Sequence, residues 1–183
     1  MESKRLYLRP CAKADFELLY TLFSNDDVTR YTIFDTCAEK SGFSPFFDDV
    51  LMNQANTGGH KTYGYPVYLR EVGSFIGLGI IDVACKNEFG GCGEIGYLLL
   101  PQYWGRGYAT EIANTLLKIG FSVLQLHRIC ARCNENNKAS EKVMKKIGMQ
   151  KEGELRKARF KHGGWHNELV YALLAEEYRP KQQ

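Results

Sequence analysis

Residues 94 to 111 constrain this chain more than any other stretch. There Glu94-Ile95-Gly96-Tyr97-Leu98-Leu99-Leu100-Pro101-Gln102-Tyr103 runs into Trp104-Gly105-Arg106-Gly107-Tyr108-Ala109-Thr110-Glu111. An apolar strand pattern passes through a glycine turn and straight into a helix. Gly105 and Gly107 carry no Cβ, so the backbone can turn tightly and a ligand can approach its N–H groups. The helix over residues 109 to 124 is read from Ile112, Ala113, Leu116, Leu117, Gly120, Phe121 and Leu124, which recur at three and four residues. Its first N–H groups and the positive end of its dipole point at the turn, which makes the turn a cradle for a pyrophosphate-like anion.

With 183 residues and 44% hydrophobic content, the chain fills one domain, taken here as residues 1 to 183. No apolar run approaches the roughly 18 residues that cross a bilayer, and Met1-Glu2-Ser3-Lys4-Arg5 has no signal-peptide core. The expectation is a cytoplasmic protein with no membrane partner, monomeric or homodimeric. A net charge of +3 from 24 basic and 21 acidic side chains gives no argument for direct nucleic-acid binding. Arg156, Lys157, Arg159, Lys161 and His162 read as a solvated strand face, with a patch for an anionic surface such as the ribosome as the alternative. Cys130-x-x-Cys133 invites a metal reading, but residues an odd number apart on a strand face opposite ways. No second pair has suitable spacing, so no metal is expected.

Alternation and helical spacing order the remainder. Residues 4 to 10 read as a strand and 15 to 23 as a helix. Three strands follow at 66 to 70, 74 to 83 and 92 to 99, joined by short turns that favour antiparallel pairing. Beyond the glycine helix come a strand over 128 to 133 and a helix over 137 to 147, capped by Asn137 and stopped by Gly148. Strands over 149 to 161 and 165 to 175 meet at His162-Gly163-Gly164. The fold class is α/β (α+β): a mixed, mostly antiparallel sheet with helices on both faces. Residues 31 to 65 are irregular, with Phe34, Phe43, Phe46, Phe47 and Tyr63 among Asp35, Asp48, Asp49 and Gly58-Gly59. They either wall a cleft or cover the core.

Trp104-Gly105-Arg106-Gly107-Tyr108-Ala109 resembles the acyl-CoA motif of the GNAT acetyltransferases, with Trp104 where Gln or Arg is usual. Further landmarks resemble the RimJ/RimL-like subgroup, which acetylates ribosomal-protein N-termini. They are Arg5-Leu6-x-Leu8-Arg9-Pro10 with Asp15, Glu94-Ile95-Gly96-Tyr97, His127-Arg128-Ile129, Asn134-x-x-Asn137-x-Ala139-Ser140, Gly148-Met149 with Glu152-Gly153, and Tyr171-x-Leu173-Leu174. The resemblance implies acetyl-CoA as cosubstrate and a splay between the two central strands. Pantetheine would lie in that splay along the edge of residues 95 to 100, with Leu99, Trp104, Gly105, Arg106, Gly107, Tyr108, Ala109, Thr110 and Asn137 holding the cofactor. It also implies Ser140 as the acid toward the leaving thiolate.

Glu94 is the candidate base, with pairing to a neighbouring basic residue as the alternative. Tyr97 and Tyr171 are candidates for the acceptor cleft, with plain packing as theirs. Met144 stands where many relatives carry an acidic tyrosine, and Arg159 where some carry a glutamate. Deprotonating a free lysine at pH 7 costs roughly 4.6 kcal/mol, against about 1 for an α-amine. A site without a strong base therefore suits the α-amine of a protein N-terminus. The alternatives are a small amine (polyamine, aminoglycoside or amino-acid-like) and an acyl-CoA sensor without turnover.

Overall fold

The structure is a computed structural model that describes residues 1–48 and 61–179. Its described strands form one seven-stranded sheet in the order β1-β2-β3-β4-β5-β7-β6. The strands are β1 (Leu6–Leu8), β2 (Lys61–Leu69), β3 (Phe75–Asn87), β4 (Gly90–Leu99), β5 (Arg128–Asn134), β6 (Gln150–Lys161) and β7 (Gly164–Leu174). The helices are α1 (Phe16–Phe23), α2 (Asp26–Thr29), α3 (Lys40–Pro45), α4 (Tyr108–Lys118) and α5 (Lys138–Lys146). Every strand pair is antiparallel except β4 with β5. No described helix is long and apolar enough to cross a membrane.

Period-two alternation sorts the two faces. Ile81, Ile95 and Leu99 pack under α4 and α5 with Ile112, Leu116 and Met144. Leu78 and Leu98, of opposite parity, pack under α1 and α3 with Leu19, Phe23 and Phe43. Thr62, Asp82 and Glu94 are aligned across β2, β3 and β4 and share the parity of Leu78 and Leu98. They therefore lie on the α1/α3 face.

The parallel join of β4 to β5 is short. It consists of Cys92 with Arg128, Gly93 with Ile129 and Glu94 with Cys130, after which β5 stays with β7 and leaves β4. The N–H of Leu100 bonds the Ile76 carbonyl on the β3 side, while the Gly91 carbonyl accepts from His127 on the other side. Odd-numbered β4 residues thus aim their backbone groups at β5, so those of Ile95, Tyr97 and Leu99 face the opened gap. This is the expected splay, and Glu94 stands at its vertex.

Several boundaries differ from the sequence reading for identifiable reasons. β2 starts at Lys61 rather than residue 66 and runs through Pro66. The Gly64 carbonyl accepts from Cys11 on the β1 side, so the nitrogen of Pro66 faces that same edge beyond the end of β1, where no ladder bond is lost. The long helix is α-helical only to Lys118 and closes as a π-helical turn over Ile119–Val123. Within that turn Gly120 lies so close to Ile129 that a Cβ would come within 2.4 Å of its Cδ1.

The N-terminal landmarks act as clamps. Ser3 Oγ, Arg5 N and Arg5 Nε all donate to the Glu111 carboxylate, at 2.7, 2.7 and 2.8 Å. Arg9 holds buried Asp15 through both of its terminal nitrogens and also donates to the Tyr68 hydroxyl.

Candidate functional site

Two cavities flank the splay and meet in it. The first, about 430 Å³, has Leu99, Trp104, Gly105, Gly107, Tyr108, Ala109 and Thr110 along one wall, and Ala139, Lys142, Val143 and Lys146 of α5 along the other. Gly105 and Gly107 have φ of 73° and 80°, left-handed values that a side chain adopts only under strain. The first intrahelical N–H to find its carbonyl is that of Glu111, bonded to Gly107 O at 3.2 Å. The amides of Tyr108, Ala109 and Thr110 therefore lack helical partners, at the positive end of the helix.

Trp104 departs from the family motif, and its indole N–H bonds the Leu99 carbonyl at 2.8 Å. One of the gap-facing strand groups is thus occupied by the turn itself. Arg5 braces the turn, donating to the Arg106 carbonyl at 3.1 Å and stacking 4.4 Å over the Tyr108 ring. Arg106, expected toward the cofactor, has an exposed side chain and lines neither cavity. Lys142 and Lys146 supply positive lining instead, with Arg30, which is paired at 2.7 Å with Asp27 of the same lining. The cradle, the open strand edge and these cations suit an anionic, amide-bearing ligand such as acetyl-CoA.

The second cavity, about 680 Å³, lies on the α1/α3 face. Its floor carries Thr62, Asp82, Glu94, Arg132 and Glu168, and its opposite wall Tyr31, Thr32, Ile33, Phe34 and Phe46. Arg132 Nη2 is 3.1 Å from Glu94 and its Nη1 3.8 Å from Glu168. Arg159 binds Glu168 at 2.7 Å, and Thr62 donates to Asp82 at 2.8 Å. Burial pushes the Glu94 carboxyl above the usual carboxylate range; Arg132 pulls it back in part, and Glu168 and Asp82 push the same way as burial.

Tyr31, Thr32, Tyr97, Leu98, Asn137 and Ser140 line both cavities and so form the neck between them. Asn137 caps α5 by accepting from the Ser140 N–H at 3.1 Å. The Tyr97 hydroxyl donates to Ser140 Oγ at 3.3 Å. Burial pushes the Tyr97 phenol up to about 12, although the Ser140 contact opposes it, so Tyr97 stays a proton donor at neutral pH.

Among the expected residues, then, the structure gathers Glu94, Tyr97, Leu99, Trp104, Gly105, Gly107, Tyr108, Ala109, Thr110, Asn137 and Ser140 around one cleft. Tyr171 is not among them. It is 1% exposed in the core, where its hydroxyl donates to Glu141 at 2.9 Å. Cys130 and Cys133 lie on opposite faces of β5 as strand alternation requires, and Cys133 is in the core. The described residues hold no group of three metal-binding side chains. Asp35 is 96% exposed, pairs with Lys161 and lines neither cavity. Asp48 lines neither cavity, while Asp49 and Gly58-Gly59 lie outside the described residues.

The sequence reading missed Asp82, Arg132 and Glu168. Each is a charge directly beside a buried apolar residue of its strand, Ile81, Ala131 or Leu169, and that was the available signal.

Residues 5–150 match the family model described as acetyltransferase (GNAT) domain. The chain is 33% identical over 177 residues to the "Uncharacterized N-acetyltransferase YnaD" of Bacillus subtilis (strain 168), covering 96% of this chain and 97% of that one. A GNAT-family acetyltransferase structure from Bacillus anthracis superposes with a TM-score of 0.80 at 30% identity, covering 97% and 99%. The Vibrio cholerae spermidine N-acetyltransferase, solved with CoA and spermine, superposes at 0.81 with 19% identity, covering 96% and 98%.

Proposed function

We propose, from the premise that this chain belongs to the GNAT family and is an acetyl-CoA-dependent N-acetyltransferase, that its acceptor is a small primary amine carrying more than one positive charge. One observation carries this reading. Among the described residues, the lining of the acceptor-side cavity has three carboxylates, Asp82, Glu94 and Glu168, and one cation, Arg132; with Arg159 bonded to Glu168 from outside the lining, an excess of one negative charge remains. An ammonium group is attracted to such a floor, and the apolar wall of Ile33, Phe34 and Phe46 suits the methylene body between charges. The volume is that of a small-molecule site. The Vibrio cholerae protein of the same fold, solved in complex with CoA and spermine, supports the reading.

Acetyl-CoA supplies the activated acyl group as a thioester. The amides of Tyr108, Ala109 and Thr110 hold its anionic end with Arg30, Lys142 and Lys146, and the gap-facing backbone of Ile95 and Tyr97 aligns its arm. Asn137 fixes the start of α5 and with it Ser140. Because Ser140 Oγ accepts the Tyr97 proton, its own proton is free to turn into the neck, toward the departing sulfur.

Glu94 takes the proton of the acceptor ammonium. It lies three residues before Tyr97, about 10 Å along the strand, so the transfer runs through water. Its raised pKa brings it nearer to the amine it must deprotonate. Arg132 holds Glu94 ionised until the acceptor arrives.

A second reading, acetylation of a protein N-terminal α-amine, is favoured by the tip of the β6–β7 hairpin. There exposed Phe160 and Trp165 meet edge-to-face at 5.5 Å, and exposed Arg156 and Lys157 lie earlier on the same β6 strand, a surface suited to a large anionic partner such as the ribosome. Free-thiol release from acetyl-CoA with spermidine, an aminoglycoside and Ala- or Ser-starting peptides separates the two. The proposal expects spermidine to lead in kcat/KM. A lead by a peptide transfers the assignment to the second reading, and acetyl-CoA binding with no turnover of any acceptor favours a sensor.

A further inference from the structure

Lys161 belongs to the basic run that reads as solvated, yet it is 7% exposed. Lysine is almost never this buried unless its ammonium has partners. Here the partners come from the far end of the chain: Lys161 Nζ donates to the Phe34 carbonyl, and to Asp35 Oδ1 at 3.0 Å. The Asp35 carboxylate is 96% exposed, so solvent screens that pair and it adds little stability. The contact with the Phe34 carbonyl does something different, because it fixes a backbone position.

Residues 31 to 34 roof the acceptor cavity, and Tyr31 and Thr32 extend over the neck. The other described ties of this roof lie on its own side of the cleft. Thr29 and Thr36 share a hydrogen bond of 2.6 Å, and Thr32 Oγ1 donates to the Thr29 and Phe34 carbonyls at 3.0 and 3.1 Å. The Phe34 ring packs on Phe23 and Phe46, with centroids 5.1 and 4.9 Å away. Lys161 lines neither cavity and reaches the roof from beside the chamber, from the end of the same β6–β7 hairpin that carries Arg159 and Glu168. Its ammonium therefore ties the roof to the hairpin that supplies Glu168 to the floor.

We infer that Lys161 is a positioning residue that sets acceptor affinity by holding residues 31 to 34 closed over the chamber. The inference rests on the reading that this cavity takes the acceptor. A buried lysine kept for stability and one kept for position behave differently when its charge is removed. Lys161→Met keeps the stem's volume and removes the ammonium; Asp35 is left in solvent and the Phe34 carbonyl keeps the Thr32 hydroxyl as donor, so the loss of stability is modest.

The test measures four quantities for wild type, Lys161→Met and Lys161→Arg. They are KM for whichever amine of the panel the wild type turns over best, the acetyl-CoA dissociation constant, the melting temperature, and amide exchange over residues 31 to 35. Lys161→Met is expected to raise acceptor KM by about tenfold or more. Acetyl-CoA affinity should stay within about threefold, melting should fall only slightly, and exchange in the roof should be faster. Lys161→Arg, which keeps a donor, is expected to stay near wild type. Faster exchange with an unchanged acceptor KM overturns the inference, and so does a parallel fall of melting temperature and both affinities. Failure of the acceptor reading shows separately, as a wild type that turns over no small amine, and in that case the inference falls with it.

Discussion

The two halves of the cleft are built in opposite ways. The cofactor half sets one continuous segment, Leu99 through Thr110, against α5, with residues 27 to 32 closing its side. The acceptor half draws on β2, β3, β4, β5, β7, α5 and the roof, with Thr62, Asp82, Glu94, Arg132 and Glu168 meeting only in the folded sheet. A continuous segment can encode its function in backbone conformation, since two glycines with positive φ and a helix start suffice. A dispersed site has to encode it in side-chain charge, and each charge inside the sheet needs a local partner. That accounts for the Thr62–Asp82, Arg132–Glu94 and Arg159–Glu168 contacts. Damage to the first half should therefore show in acetyl-CoA binding, and damage to the second in catalysis and acceptor choice.

The largest expected effect is on the cofactor side. Gly107→Asp forces a side chain into φ 80° and sets a carboxylate at an anion cradle. Backbone strain alone costs about 1–3 kcal/mol there, and charge repulsion adds to it. Calorimetry should find acetyl-CoA affinity reduced at least about a hundredfold; near-normal affinity would erase the contrast between the halves.

Next comes Glu94→Gln, expected to lower kcat by about 10²-fold or more with acetyl-CoA affinity intact. The pH profile carries the sign. A base must be ionised, and burial raises the Glu94 pKa, so wild-type kcat/KM should fall as pH drops through a value above the usual carboxylate range. That limb should flatten in Glu94→Gln, and a limb that persists unchanged assigns it to another group.

Tyr97→Phe and Ser140→Ala should each lower kcat by about ten- to a hundredfold. Because the two hydroxyls form one chain, the double variant should be little worse than the poorer single one. Multiplying effects would mean that they act independently. The smallest effect is at Trp104. Trp104→Phe loses the bond to the Leu99 carbonyl, about 1 kcal/mol, readable as a lower urea midpoint.

How much of this was legible in the sequence follows the same division. The cradle and the cap by Asn137 lay in local pattern, because glycine spacing, helical period and capping chemistry are short-range, whereas the splay was implied only by the family resemblance. Tyr97 was legible as a cleft residue, but its bond to Ser140 was not, since it spans β4 and α5 across the gap. Tyr171 was misplaced because alternation gives two faces without saying which one is core. Lys161 read as solvated because a basic run carries no sign of a carbonyl more than a hundred residues away. Arg106 sits between two glycines whose φ values turn its side chain outward, and turn composition alone does not reveal that.

The most direct test of the acid-lined acceptor half is Asp82→Asn. The amide keeps the volume and can still accept from Thr62. The measurement is kcat/KM for spermidine and for a monoamine of similar length, in wild type and variant, with acetyl-CoA affinity alongside. The account predicts a loss of about tenfold for spermidine, a much smaller one for the monoamine, and unchanged acetyl-CoA binding. Equal losses for both amines, or none for either, would contradict it.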